Sequence, residues 1–264
     1  MISVVQYWHQ PDYCPPAIRS RQNQWRSAFP EQYELFDRRT AADCLHAHFG
    51  QEVVSGFLAC GVPAMASDYF RYHRLAITGG LYVDSSFLPG DLARIISLTG
   101  HPLFALSVPK VDLTPGIAQA RQVLGKVLLN GVLWTKSAPS PYFSLLSALV
   151  RRLVHERSSN QIPMVTGIAV LTMFDYAVSA SEKNSVRSLE NIRLALPPGN
   201  ERFLAVTLEF LQQHTKQLSE LTPCAWADSE DMKDVFHRPA EDHSRLADPA
   251  HWTNHQGDIF TATS

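Results

Sequence analysis

Ala66-Ser67-Asp68-Tyr69-Phe70-Arg71-Tyr72-His73-Arg74-Leu75-Ala76-Ile77-Thr78-Gly79-Gly80-Leu81-Tyr82-Val83-Asp84 is the stretch on which the fold turns. Just upstream, Pro63 suits the first position of a helix, where its missing N–H costs nothing and its φ is already helical. The pair Gly79-Gly80 stops that helix at about Thr78. Leu81-Tyr82-Val83 then reads as a short apolar strand, with Asp84 at its carboxyl end. A helix running straight into a strand is a building unit of an α/β domain, and ligands of such domains bind outside the carboxyl ends of the strands.

Working outward, Ile2 to Tyr7 is a β-branched apolar run and predicts a first strand. Pro11, Pro15 and Pro16 break it and lead into a helix over Ala17 to Ala28. Glu34-Leu35-Phe36 predicts a second strand ended by Asp37, and Thr40 is placed to cap a helix through about His48. Further helices are expected at Gln51 to Cys60, Pro141 to Glu156, Ala169 to Ala177 and Arg202 to Leu218. Strands are expected at Leu103 to Val108 and Leu128 to Thr135. After Leu221 the periodicity weakens into segments rich in Asp, His and Pro. The alternation predicts one domain over 1–264: an α/β core (1–220) with a mostly parallel central sheet, and an irregular C-terminal tail (221–264) closing over the site.

The chain has 264 residues, 45% hydrophobic and 18% charged, which excludes a disordered chain and allows a sizeable core. A net charge of -2 offers no electrostatic case for nucleic acid, which is held by neutralising many phosphates. No run of about 18 apolar residues is present, so no membrane span is expected. The start, Met1 to Tyr7, lacks the basic and long apolar segments of a signal peptide. Cys14, Cys44, Cys60 and Cys224 are scattered and fit neither a metal nor a disulfide pattern, so free thiols and a cytoplasmic location are the expectation.

The chemistry gathers in the opening stretch. Asp68 and Arg71 are three apart on one helix, hence neighbours on one face. With Asp84 they bring one guanidinium and two carboxylates to one edge of the sheet. A diphosphate needs positive charge, from a carboxylate-held metal or from an Arg fork that grips two oxygens. Sugar hydroxyls need acceptors, which carboxylates supply. Spacing alone leaves a plainer reading open: an Asp–Arg pair on a solvated face and a strand-ending Asp that caps a turn. Tyr69, Phe70 and Tyr72 read as core, and Arg151-Arg152 with His155 as a solvated face.

The stretch from Ala66 to Asp84 resembles the sugar-binding region of the DXD-motif glycosyltransferases, which include bacterial capsule and lipopolysaccharide sugar transferases, fungal mannosyltransferases and the glucosylating clostridial toxins. The family pattern is a small residue, Asp, two apolar residues, Arg-Tyr, Leu, then Gly-Gly-hydrophobic-Tyr-hydrophobic-Asp-x-Asp. Val5-Gln6-Tyr7-Trp8 is similar to its first strand, and Trp25 with Tyr33-Glu34-Leu35-Phe36-Asp37 to its Trp and Tyr-Glu-hydrophobic-Trp-Asp stretch. Asn130 to Pro141 is similar to its strand-Asn segment, and Thr166-Gly167 to a Thr-Gly-Pro turn. The likeness covers roughly residues 2–178.

The resemblance implies a GT-A-like nucleotide-binding fold and retaining transfer of a hexose from a UDP- or GDP-sugar to a glycan, natural-product or protein hydroxyl. It implies that Trp8 flanks the base, that Asp68 binds ribose or sugar hydroxyls, that Arg71 contacts sugar and diphosphate, and that Asp84 contacts the sugar and a metal-bound water. Asn130 would lie on the acceptor side of the donor pocket; read alone, Asn130-Gly131 is equally a hairpin turn. The family's metal is Mn or Mg, and here the pattern departs: its second motif Asp is Ser86. A hydroxyl is a far poorer ligand than a carboxylate for a hard cation. The metal would then be held by Asp84 and Ser86 with tail residues such as His251 and Asn254, or be dispensable, or the protein would bind without turnover. A zinc site from His251, His255 and Asp258 is disfavoured, because Pro249 and Gly257 argue against a helix there.

Overall fold

The computed structural model describes residues 2–10, 12–108, 115–181, 187–196, 199–237 and 260. In chain order the first half is β1 (Val4–Tyr7), α1 (Pro16–Ala28), β2 (Tyr33–Phe36), α2 (Arg38–Phe49), α3 (Gln51–Ala59), α4 (Pro63–Thr78), β3 (Gly80–Val83), β4 (Leu88–Pro89) and α5 (Leu92–Ser97). The second half is β5 (Leu103–Ser107), α6 (Pro115–Leu124), β6 (Leu128–Thr135), α7 (Pro141–His155), α8 (Ile162–Val165), α9 (Ile168–Ser181), α10 (Arg187–Leu194), α11 (Glu201–Gln213), α12 (Thr215–Ser219), β7 (Ala225–Asp228) and β8 (Phe236–His237).

Six strands form one sheet in the order β2-β1-β3-β6-β5-β7, and β4 pairs with β8 in a small second ladder. Pairings β1/β2, β1/β3 and β5/β7 are parallel, whereas β6 runs antiparallel to both neighbours. Five strands therefore point one way, and the α/β class with a mostly parallel sheet is as expected. Successive strand residues feed opposite cores, as the two-residue period requires. Val5, Tyr82, Ala105 and Leu133 face a large cluster with Phe57, Tyr69, Phe70, Tyr72, Leu146, Phe174 and Phe203. Val4, Leu81, Val83, Phe104 and Trp134 face a smaller one with Trp25, Phe29, Ile95, Met232 and Phe236. Because both faces are covered, these strands read as continuous apolar runs.

Helix α4 ends where the glycines demand. Gly79 (φ 62°) donates its N–H to Leu75 O at 3.1 Å, and Gly80 follows at φ 96°. A Cβ on either would lie 2.7 Å from a backbone oxygen, of Ser137 and Ser3 respectively. Only glycine fits this turn, and the turn is what aims β3 between β1 and β6.

Four expectations are corrected. Helix α2 is capped by Asp37, not Thr40: Asp37 accepts from Thr40 N at 2.8 Å, and Thr40 Oγ1 accepts from Asp37 N at 2.9 Å. Asn130-Gly131 is no hairpin turn. It lies inside β6, where the register against β5 slips between Ala105↔Leu133 and Leu106↔Leu129, a bulge. The helix expected over 202–218 divides at His214 into α11 and α12. The segment after Leu221 is not wholly irregular, since β7 completes the sheet edge beside β5 and β8 pairs with Leu88-Pro89.

Candidate functional site

Asp84 directly follows β3 and donates its backbone N–H to Gly131 O of β6 at 2.8 Å. Tyr82, two residues earlier, lies on the same side of the strand, so its hydroxyl reaches Asp84 Oδ1 at 3.2 Å. On α4, the i,i+3 and i,i+4 spacings bring Ser67, Asp68 and Arg71 together. The two elements converge on one atom. Arg71 Nη2 lies 2.9 Å from Asp68 Oδ1, 2.9 Å from Asp84 Oδ1 and 2.9 Å from Ser67 Oγ. Arg71 Nε donates to Ser67 O at 3.3 Å, and Nη1 donates to Asn130 O. The guanidinium carbon stands 4.4 Å from the centre of the Tyr82 ring, whose hydroxyl also meets Ser67 Oγ at 2.8 Å.

The expected trio of Asp68, Arg71 and Asp84 is therefore one cluster, and the plain reading of a solvated Asp–Arg pair is overturned. Exposure separates their roles. The side chains of Asp68 and Arg71 are 8% and 3% exposed, whereas that of Asp84 is 35% exposed. Arg71, expected at the sugar and diphosphate, has all three guanidinium nitrogens engaged by protein atoms. Asp68 is turned inward as well, accepting from Asn130 Nδ2 at 2.9 Å and Thr166 Oγ1 at 3.2 Å. Of the cluster's charged groups, Asp84 is the one that meets solvent.

Burial pushes the Asp68 carboxyl up to about 7; Arg71 pulls it back, the Asp84 charge adds to the rise, and the Thr166 and Asn130 bonds oppose it. Burial alone would weaken the Arg71 charge, but Asp84 first, and Asp68 after it, hold it firmly protonated. The clustered hydroxyls of Tyr72 and Tyr82 are driven well upward by burial and stay neutral donors.

Trp8 follows β1, which neighbours β3. The two segments meet where Ser85 Oγ donates to Tyr7 O at 3.2 Å. Trp8 is half-buried, and its indole N–H donates to Tyr13 O at 2.8 Å. Ser86 is buried within a turn closed by Phe87 N–H to Asp84 O at 3.0 Å. Asp91, the next carboxylate along, accepts from Arg94 N at 3.1 Å and caps α5. His251 and Asn254, with His255 and Asp258, lie outside the described residues. An open groove of about 460 Å³ between α1 and the segment after β4, lined by Ser20, Asn23, Gln24, Ser27, Pro89 and Leu92, contains none of the cluster.

A divalent cation of the kind the motif resemblance implies needs several hard oxygen ligands. Asp84 offers a carboxylate already paired with a buried guanidinium, and Ser86 a neutral, buried hydroxyl. Among the described residues no group of three His, Cys, Asp or Glu side chains could hold a metal ion. This donor set alone does not fit the cation. Among the described residues, no helix is long and apolar enough to cross a membrane, and Cys14, Cys44, Cys60 and Cys224 are free thiols.

Ser67, Tyr82 and Thr166 lie inside the stretches likened to the family, but the sequence did not single them out as site residues. For Ser67 and Tyr82 the signal was present in the i,i+4 and i,i+2 spacings to Arg71 and Asp84. Thr166 is 98 positions from Asp68, and its signal was the likeness of Thr166-Gly167 to the family's Thr-Gly-Pro turn.

No protein-family model matches the chain, and no curated protein matches it in sequence. Among solved structures it is similar to one titled "PaToxG Glycosyltransferase", at 12% identity and a TM-score of 0.45, over 88% of this chain and 84% of that chain. A likeness this distant bears on neither residues nor chemistry, which rest on the geometry above.

Proposed function

We propose that the chain is a glycosyltransferase that takes a hexose from a nucleoside-diphosphate sugar and passes it to a hydroxyl acceptor, with retention at the anomeric carbon. The observation that carries this reading is the Asp68–Arg71–Asp84 cluster: a carboxylate at the end of a central strand, open to solvent and held from behind by a buried guanidinium. The resemblance of residues 66–84 to the sugar-binding region supports it, and the UDP- or GDP-sugar donor and the outcome at the anomeric carbon come from that resemblance.

In this reading Asp84 accepts hydrogen bonds from hydroxyls of the donor sugar. Arg71 is a positioning residue, which fixes the Asp84 rotamer through the 2.9 Å pair. Asp68, Asn130 and Thr166 hold Arg71 in turn, and Trp8 flanks the base. Side chains locked by their surroundings orient a ligand without the cost of ordering it during the reaction.

A second reading is a sugar-nucleotide-binding protein of the same fold without turnover, which Ser86 in the second acid position favours. Release of nucleoside diphosphate from a panel of UDP- and GDP-sugars, with and without Mn²⁺, separates the two. The transferase releases nucleoside diphosphate from at least one donor, and Asp84→Ala abolishes the release. Tight binding without release supports the binding protein, and neither binding nor release from any donor refutes both.

A further inference from the structure

Resting on the sugar-nucleotide reading, we infer that this site engages its donor without a divalent cation, the guanidinium of Arg71 standing where a metal's charge would otherwise act on Asp84. Asp84 Oδ1 already faces Arg71 Nη2 at 2.9 Å and the Tyr82 hydroxyl at 3.2 Å. A hard cation binds carboxylate oxygen at about 2.0–2.6 Å, which would set two or more positive charges within about 5 Å of that guanidinium. Arg71 is 3% exposed and tied to Ser67, Asp68 and Asn130, so it has no route into water to make way.

The position two residues on from Asp84 carries no carboxylate. A second carboxylate there would raise the number of charged ligands, which sets the affinity for hard cations. Ser86 is neutral and buried at 6% exposure, in the tight turn closed by Phe87 N–H and Asp84 O. Two acids close by in the sequence are already used: Asp68 is enclosed behind Arg71, and Asp91 caps α5. The open part of Asp84 is left to neutral hydroxyl donors of a sugar ring, not to a metal-bridged phosphate.

The test begins with the metal alone. Titrating wild-type protein into aqueous Mn²⁺ should leave the free-ion electron paramagnetic resonance signal unchanged, whereas Ser86→Asp should deplete it. The affinities of UDP- and GDP-sugars are then compared by calorimetry in EDTA and in Mn²⁺. Wild type should differ by no more than about twofold between the two buffers, and Ser86→Asp should gain about tenfold or more in Mn²⁺. Saturable Mn²⁺ uptake by the wild type, or a gain of about tenfold on adding Mn²⁺, overturns the inference, including the case in which ligands come from elsewhere in the chain. If Ser86→Asp does not fold, the two wild-type measurements still decide. If no sugar nucleotide binds in either buffer, the proposed function fails while the manganese titration still decides the metal question.

Discussion

Replacing Gly131 by alanine tests how Asp84 is held. Gly131 has no left-handed φ, so its backbone accepts an alanine and the effect is purely steric. The added Cβ would lie 2.9 Å from Asp84 Oδ2, 3.1 Å from the Phe87 ring and 3.5 Å from Asp84 Cγ. The Asp84 oxygen is too close for carbon and, as the free end of a side chain, must rotate away. That movement breaks the 2.9 Å pair with Arg71 and the 3.2 Å bond from Tyr82. Hydrogen bonds to charged groups contribute about 1.5–3 kcal/mol, and the exposure of Asp84 discounts this towards the lower end. Gly131→Ala should therefore lose about 1–2 kcal/mol in urea unfolding. By the same displacement, sugar-nucleotide affinity should fall about tenfold or more, read by calorimetry. Gly100→Ala is the control: its Cβ meets nothing within 4 Å and its φ is ordinary, so it should change neither. Wild-type stability and affinity in Gly131→Ala would show that Asp84 is not fixed by its contacts with Arg71 and Tyr82.

Gly79→Ala combines a φ of 62° with a Cβ 2.7 Å from Ser137 O, and should cost about 2 kcal/mol or more in denaturant unfolding, with or without ligand. Asp175 is fully buried, 2.6 Å from Lys126 Nζ, and accepts from Tyr142 Oη at 3.0 Å and Cys224 N at 2.7 Å; Asp175→Ala strands the lysine and should destabilise by about 3–5 kcal/mol, loosening β7 first in hydrogen exchange. The Asp68 carboxyl is raised from 3.8 to about 7, so between those values the folded chain holds a proton that the unfolded chain has lost. Stability from this group is greatest below pH 4 and declines as pH rises to about 7, with a slope of at most about 1.4 kcal/mol per pH unit. Asp68→Asn should flatten that decline in urea titrations at pH 5, 6 and 7, and an unchanged slope would assign it to other groups.

Much of this fold is legible because its punctuation is chemical. Pro63 and Gly79-Gly80 bracket α4 to the residue, and the apolar run after them is β3. The direction of β6 is not legible, because a buried strand has the same residue pattern whichever way it runs. Asn130-Gly131 has turn chemistry, yet serves a bulge that delivers Asn130 to Asp68 and Arg71. Strand β7 is four residues at a sheet edge with Trp226 exposed, too short and too mixed to show a period. At the site, the spacing of Asp68 and Arg71 and the end of β3 foretold which side chains meet. They did not foretell that Arg71 is sealed behind Asp84, since burial is set by contacts such as Thr166 and Asn130 that are distant in sequence.

The most direct measurement is calorimetric titration of a UDP- and GDP-sugar panel into wild type, Asp84→Asn and Arg71→Lys. One donor should bind wild type, removing the Asp84 charge should abolish binding, and Arg71→Lys, which keeps the charge but loses the fork, should weaken it. A donor that binds all three proteins equally would contradict the roles given to Asp84 and Arg71.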